Sequence, residues 1–489
     1  MFLSKSKFVA GMQCLKQLYL QVHEPDLAGE VDEATEAIFS QGHEVGRLAQ
    51  QRFPGGIQVE ADPTQIEAAL AKTKKLIANP ETPAIFEAAF KFDDVVVRID
   101  LLERLPGNRW RMIEVKSSTA VKDYHLYDVA IQRYVVSGSG LRLSQACLVH
   151  LNRNYVYDGK RYEPEKLFTV HDLTNEIAKL RDKLPELLRE QKRMLARAAP
   201  PEVEPGPQCT NPYACQFYSH CNKPLPEDHI SFLPGIRSTK VADLLAMGYL
   251  SILAIPADYP LTEREKRAFE CVKSGTEWFS GNLEKVLKQL EYPLYFMDFE
   301  TLPDAIPRFA GMRPYDHLPF QWSVHVQQRP GAKPKHYEFL ARDHEDPRQS
   351  FVESLCNVLG QNGHVVVYNR PFESGRLQDL SKWLPNYSRQ IAGLQKRLWD
   401  LLPAVRSHVY HPAFGGSYSM KSVLPALVPE MTYAGMAVAD GTQAGLTWKR
   451  ILQGQAGSAE TEEMIEALRA YCCQDTLGMV GILERLKRA

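Results

Sequence analysis

The 489-residue sequence predicts a multidomain α/β protein, and three observations carry that prediction. The chain exceeds the roughly 250–300 residues at which a single hydrophobic core stops growing. Between residues 57 and 198, stretches of alternating apolar residues are interleaved with stretches of helical spacing. A further strand, "YPLYFMDFETLP", then opens a second α/β region that runs to the C-terminus.

Taken in order, residues 1–55 read as helical and stop at the turn "FPGG". "IQVEADPTQIEAALAKTKKLIANPETP" reads as strand, helix and breaker. "AIFEAAFKFDDVVVRIDLLERL" and "RWRMIEVKSST" read as strands parted by the turn "PGN". "YHLYDVAIQRYVVSG" has helical spacing, "LSQACLVHLNRNYVY" is another strand, and 172–198 reads as a charged helix. The Pro-rich "AAPPEVEPGPQ" leads to a group of cysteines. The reading divides the chain into 1–225, a helical middle segment 226–290, and an α/β region 291–489.

Composition is that of an ordinary globular protein, 44% hydrophobic and 24% charged. The net charge of −1 supplies no global basic field, so a nucleic-acid partner would be held by local patches. No apolar run reaches 18 residues, so no membrane span is expected. The N-terminus lacks an uninterrupted apolar stretch and does not read as a signal peptide, which makes a cytoplasmic location the expectation. Nine cysteines, several clustered, favour metal or redox chemistry over disulfides in such a chain.

Glu114 and Lys116 lie two apart on a strand and therefore share a face. As residues alone they are either a solvated edge pair or a metal ligand beside a cation. The preceding strand ends in Asp100, and two carboxylates beside a lysine suit a hard divalent cation whose bound water the lysine helps to position. Asp100…Glu114-Val115-Lys116 resembles the PD-(D/E)XK nuclease pattern. Cys14, followed late by Cys209, Cys215 and Cys221, resembles the RecB-like iron–sulfur nucleases, whose cluster ties the N-terminal helix to the tail of the nuclease core. "YDVAIQRY" resembles that family's glutamine motif at Gln132. Four thiolates suit either zinc or a [4Fe–4S] cluster, and the resemblance favours the cluster. Two departures stand out. The late cysteines are spaced more widely than usual, and the helical histidine is replaced by Gly46, with Glu44 or His43 either the substitute ligand or a solvated helix residue.

Asp298 and Glu300 again lie two apart on one strand face, between strongly apolar neighbours that make uncompensated acids costly. Downstream come Asn369-x-x-Phe372-Glu373 and, at helical spacing, Tyr471-x3-Asp475. In that order these segments resemble the DEDD exonucleases of the DnaQ-like, ribonuclease H-like class, with the tyrosine marking the DEDDy branch. The resemblance implies that Asp298, Glu300, Glu373 and Asp475 hold two Mg²⁺ or Mn²⁺ ions, that Tyr471 orients water, and that Asp400 supports the site. Glu373 stands where the family has aspartate. Cys472 and Cys473 read as core helix.

The middle segment "SFLPGIRSTKVADLLAMGYLSILAIP" resembles a degenerate helix-hairpin-helix, with Arg237 and Lys240 as phosphate contacts, or is a plain helical linker. The whole resembles a bacterial family that joins a RecB-like iron–sulfur nuclease to a DnaQ-like domain. It implies a metal-dependent nuclease with two active sites, acting on DNA (single-stranded or from 3′ ends) in repair or anti-phage defence. Ribonuclease activity and a non-catalytic nucleic-acid-binding scaffold are the alternatives.

Overall fold

The computed structural model describes residues 2–60, 65–222, 225–454 and 457–489. They form a mixed α/β protein with three sheets, which divides into two compact units. The first comprises Met1–Lys223 together with Asp304–Asp316, and the second Pro224–Pro303 together with His317–Ala489. The segment that the sequence reading set apart as 226–290 thus groups with the second unit.

The first unit is built on a seven-stranded sheet. Its central strands, Val95–Leu105 and Arg109–Lys116, pair antiparallel, and Leu143–Leu151 adds in parallel to the second of them. Alternation decides the two faces. Trp110 and Met112 join one core with Phe8, Ile131 and Leu188, which come from the helices Lys5–Gln13, Asp123–Gly138 and Leu184–Leu195. Ile113, Cys147 and Val149 face the opposite way, into a second core with Val45, Ala49 and Ile306. Glu114 and Lys116, in step with Trp110 and Met112, therefore project toward the first set of helices. The expected helix 172–198 is broken into Thr174–Ala178 and Leu184–Leu195, with Pro185 starting the second helix at a position where its missing N–H is tolerated.

The second unit holds a five-stranded sheet, in the order Lys335–Leu340, His317–Gln327, Leu294–Pro303, Val365–Val367, Leu398–Asp400. Tyr295, Met297 and Phe299 pack with Phe351, Leu377 and Ile391 of the helices on one face. The opposite face, carrying Asp298 and Glu300, receives the long helix Ser458–Lys487. Three polar contacts pin that helix in place. Gln321 Nε2 donates to the Leu468 carbonyl at 2.9 Å, and Thr476 Oγ1 lies 2.7 Å from Ser323 Oγ and 2.8 Å from His325 Nδ1.

Candidate active sites

In the first unit, Glu114 is 2% exposed and saturated with donors. Its Oε1 accepts from Lys5 Nζ at 2.7 Å and Lys116 Nζ at 2.9 Å, and its Oε2 from Gln132 Nε2 at 2.6 Å. Lys116 Nζ also reaches Asp128 Oδ2 at 2.5 Å. The geometry follows from two periodicities: strand residues two apart are separated by about 6.7 Å, and helix residues four apart by about 6 Å. Asp128 and Gln132 on their helix thus meet Lys116 and Glu114 one to one. Asp100 Oδ2 accepts the Val115 N–H at 2.7 Å.

The charges settle unequally. Burial, then the charge of Glu114, pushes the Asp100 carboxyl up to about 8. Burial also pushes Glu114 upward, but Lys116 and Lys5 outweigh it and hold the carboxyl below its ordinary range. Lys116 is opposed by burial, yet Glu114 and Asp128 raise it and keep it charged.

Nothing in the sequence pattern marks Lys5, Asp128 or Glu87 as partners. Glu87 has φ 55° and is skipped, with Asp100 opposite it, in a pairing that otherwise keeps one register from Phe86–Leu101 to Ala88–Ile99. Burial raises its carboxyl, the charge of Arg98 then opposes that most, and the charges of Lys5, Glu114 and His43 also act on it, so it borders the same cluster. Glu44 is directed differently, since its charge bears on Tyr162. Of the two candidate substitutes for the missing histidine, His43 is the one that bears on the carboxylate cluster. A divalent cation using Glu114 Oε1 would displace Lys5.

Cys14, Cys209, Cys215 and Cys221 line one cavity. Gln13 Nε2 holds the N-terminal helix to this loop by donating to the carbonyls of Gln208 and Tyr213, each at 2.7 Å. Burial raises the Cys215 thiol, and the charges of the other three act on it. Among the described residues, no three of these sulfurs lie within 4.8 Å of one another. A single zinc tetrahedron has edges of about 3.8 Å. As the four sulfurs stand, no three are close enough together for one zinc ion.

In the second unit, Glu300 and Glu373 are 5% and 2% exposed, and Asp298 and Asp475 are half-buried. Asp475 accepts hydrogen bonds from the hydroxyls of Tyr433 and Tyr471. Burial pushes the Asp475 carboxyl up to about 6, against the pull of those two phenols and of Lys421. Burial and neighbouring acids carry Asp298 and Glu300 well above the ordinary carboxylate range. Glu373 is raised by burial and by Asp298, and its buried Oε2 has no hydrogen-bond partner. Asp400 positions it: the carboxylate accepts N–H bonds from Asn369, Arg370 and Leu402 at 3.0–3.1 Å, fixing Asn369 at φ 88° and the start of the helix Arg370–Trp383.

Cys472 is buried in the helix, as the sequence reading has it; in addition its Sγ lies 3.8 Å from Asp298 Oδ2, and one donor atom each of Asp298, Glu300 and Cys472 fall within 4.8 Å of one another. A cysteine adjoining the Tyr-x3-Asp motif on a helix packed against the acidic strand is the signal that would have found it. Tyr433, arriving from an irregular segment, carries no such signal. A correction concerns Lys240, whose ammonium donates to Glu265 Oε2 and the Pro260 carbonyl at 2.6 Å each and so is committed within the fold. Arg237 is exposed at the N-cap of the helix Ser238–Ala246.

Residues 295–419 match a family described as a domain of unknown function (DUF2779). That span contains Asp298, Glu300, Glu373 and Asp400 and ends before Tyr471 and Asp475. A stretch of 213 residues, 40% of this chain, is 22% identical to the uncharacterized protein UU173 of Ureaplasma parvum. The match covers 31% of that relative's length, so the chain spans about a third of it. No helix among the described residues is long and apolar enough to cross a membrane.

Proposed function

We propose that the chain is a metal-dependent nuclease, with a DEDDy-type exonuclease site of ribonuclease H-like fold in the second unit and a PD-(D/E)XK-type, iron–sulfur-supported site in the first. The observation that carries the reading is the second cluster. Four acids converge at Asp298, Glu300, Glu373 and Asp475, and Glu373 Oε2 is buried without a partner. Such a set is costly without a compensating cation. Bound Mg²⁺ or Mn²⁺ would activate water and take up charge on the leaving oxygen. The protein's own share is positional. Tyr471 orients the attacking water while Asp475 fixes the phenol. Asp400 holds Glu373 by capping its helix. Lys421, whose charge bears on both Glu300 and Asp475, offsets charge at the scissile phosphate.

In the first unit, Asp100, Glu114 and Glu87 are the carboxylates for a cation, and Lys116 is the cation that faces the phosphate. A second reading has one specific support: Lys5 on Glu114 closes that cluster by internal ion pairs, which suits a unit that holds nucleic acid and leaves cutting to the other.

The test is cleavage of end-labelled single-stranded DNA, duplex DNA and RNA with Mn²⁺ or Mg²⁺ and an EDTA control, using the parent, Lys116→Ala, Asp298→Ala and the double variant. Distinct products lost in each single variant support two sites, and loss with Asp298→Ala alone supports the second reading. A parent inert on all three polymers under reducing, anaerobic handling refutes the nuclease assignment.

A further inference from the structure

The second unit carries a cavity of about 660 Å³ whose walls include Gly235, Arg264, Asn369, Arg406, Ser417 and Tyr418. Arg264 and Arg406 are exposed, and among the described residues neither has an ion-pair or hydrogen-bond partner. Tyr418 is 9% exposed, and its buried hydroxyl also has no hydrogen-bond partner. That hydroxyl lies in a cationic field: burial raises it, and the charges of Arg264, Arg267 and Arg406 pull it back. Arg267 is engaged elsewhere, stacked 3.8 Å over Trp278 and donating to the Ser407 carbonyl, whereas Arg264 and Arg406 line the space, the Arg406 guanidinium 6.0 Å from the Tyr418 ring centroid. The acid that bears on this wall, Asp400, is consumed by three backbone N–H groups. The helix Met420–Leu427 begins at the cavity with no side chain capping its N-terminus, adding backbone donors of the same polarity.

Two glycines allow the walls to meet. Gly416, at φ 77°, sits where a Cβ would fall 2.1 Å from the Phe232 carbonyl oxygen, so only glycine lets its loop close on the Leu233–Ile236 turn. Gly235, at φ 80°, leaves its Cβ position 3.8 Å from Arg264 Nη1.

We propose that this cavity binds a backbone phosphate of a single-stranded nucleic acid, clamped by Arg264 and Arg406 with the Tyr418 hydroxyl donating to it. Its ligand class rests on the nuclease reading above. Asn369, in the cavity wall, and Glu373, in the acidic cluster, are four residues apart on one helix start, about 6 Å of rise. A strand held here is therefore delivered to the Asp298 cluster. The "LPGI" turn takes part through Gly235, while Lys240 does not.

The experiment is fluorescence anisotropy of a labelled oligothymidylate in EDTA with the full chain, comparing the parent, Arg264→Gln/Arg406→Gln and Tyr418→Phe. Binding in the double variant should weaken about tenfold or more, with the slope of log affinity against log salt reduced by about 1 to 2. Tyr418→Phe should weaken binding several-fold while the melting temperature holds or rises, because a buried unpartnered hydroxyl is removed. Inorganic phosphate should compete with the oligonucleotide in the parent and lose that effect in the double variant. Unchanged affinity and salt slope in the double variant, or a parent that binds no oligonucleotide, overturns the proposal whether or not the protein cuts. A parent that cuts nothing yet depends on both arginines for binding upholds the cavity and removes the nuclease assignment alone.

Discussion

Lys5 and Cys14 stand at opposite ends of one nine-residue helix: Lys5 bonds Glu114 in the carboxylate cluster, and Cys14 is the C-cap residue on the wall of the thiol cavity. The helix is thus a rigid rod between the cradle and the first site. Its other anchors are Phe8 in the core with Val9 and Met12 packed against it, the Ser4 cap, the Gln191 amide on the Phe8 carbonyl, and Gln13 on the cysteine loop. Replacing Cys14 by Ser should therefore loosen both ends. The expected outcome is a melting transition lowered by several degrees, with cutting assigned to Lys116 lost and cutting assigned to Asp298 kept. Equal loss of both activities would show general unfolding and no specific link.

Lys5→Met removes one of two ammonium groups on a carboxylate that is almost fully buried. Because Lys116 and Gln132 remain on Glu114, the loss should be less than the 3–5 kcal/mol typical of breaking an isolated buried pair, on the order of 1–3 kcal/mol. The same change removes the competitor for a divalent cation, so Mn²⁺ affinity at this site should rise several-fold. Urea denaturation and calorimetric titration on an Asp298→Asn background read the two effects. Weaker Mn²⁺ binding in Lys5→Met would mean that Lys5 helps to organise the cation site and does not block it.

Asp400→Ala strips the Asn369 and Arg370 N–H groups of their acceptor at a helix start where Asn369 is left-handed, and the Leu402 N–H of its acceptor in the helix that Asp400 itself caps. A lost cap of this kind costs about 1–2 kcal/mol. Glu373 sits in that first turn, so cutting by the second site should fall by about tenfold or more, as expected when a ligand is displaced by an ångström or so. Asp400→Asn keeps one acceptor oxygen and should restore much of the stability. Full activity in Asp400→Ala would separate Glu373 from the reaction.

The face on which Glu114, Lys116, Asp298 and Glu300 project was legible because strand alternation is a local property. Tyr471 and Asp475 were legible for the same reason on a helix. Lys5, Asp128 and Glu87 were not, because each reaches its cluster through tertiary geometry: a helix laid across the sheet, a neighbouring helix in register, and a left-handed residue at a skipped position of the strand pairing. Cys472 was legible as core helix, but its closeness to Asp298 was not, since burial and closeness to an acid are compatible in a thiol. Lys240 was misjudged as a free cation, because Glu265 lies 25 residues off in a different helix.

The raised carboxyls make the metal-free protein sensitive to alkali. Asp475 is pushed to about 6 and Asp100 to about 8, each above the value near 3.9 of an unfolded aspartate. A carboxyl raised in the folded state binds its proton more tightly there. The associated stability is complete below about pH 4 and is lost as pH climbs through the folded value. Glu114, held low, contributes in the opposite sense, and its contribution is lost only under strongly acid conditions. Denaturant unfolding in EDTA should therefore show stability falling from about pH 4, the Asp475 contribution being spent by about pH 6 and the Asp100 contribution by about pH 8. Since a cation needs the deprotonated carboxylates, Mn²⁺ affinity should rise over the same interval, and saturating Mn²⁺ should flatten or reverse the fall. Asp298→Asn, which removes one raised acid from the second cluster, should make the fall shallower. A metal-free stability that rises through this interval would mean that the acids are compensated from within the fold, and the case for a cation between them would fail.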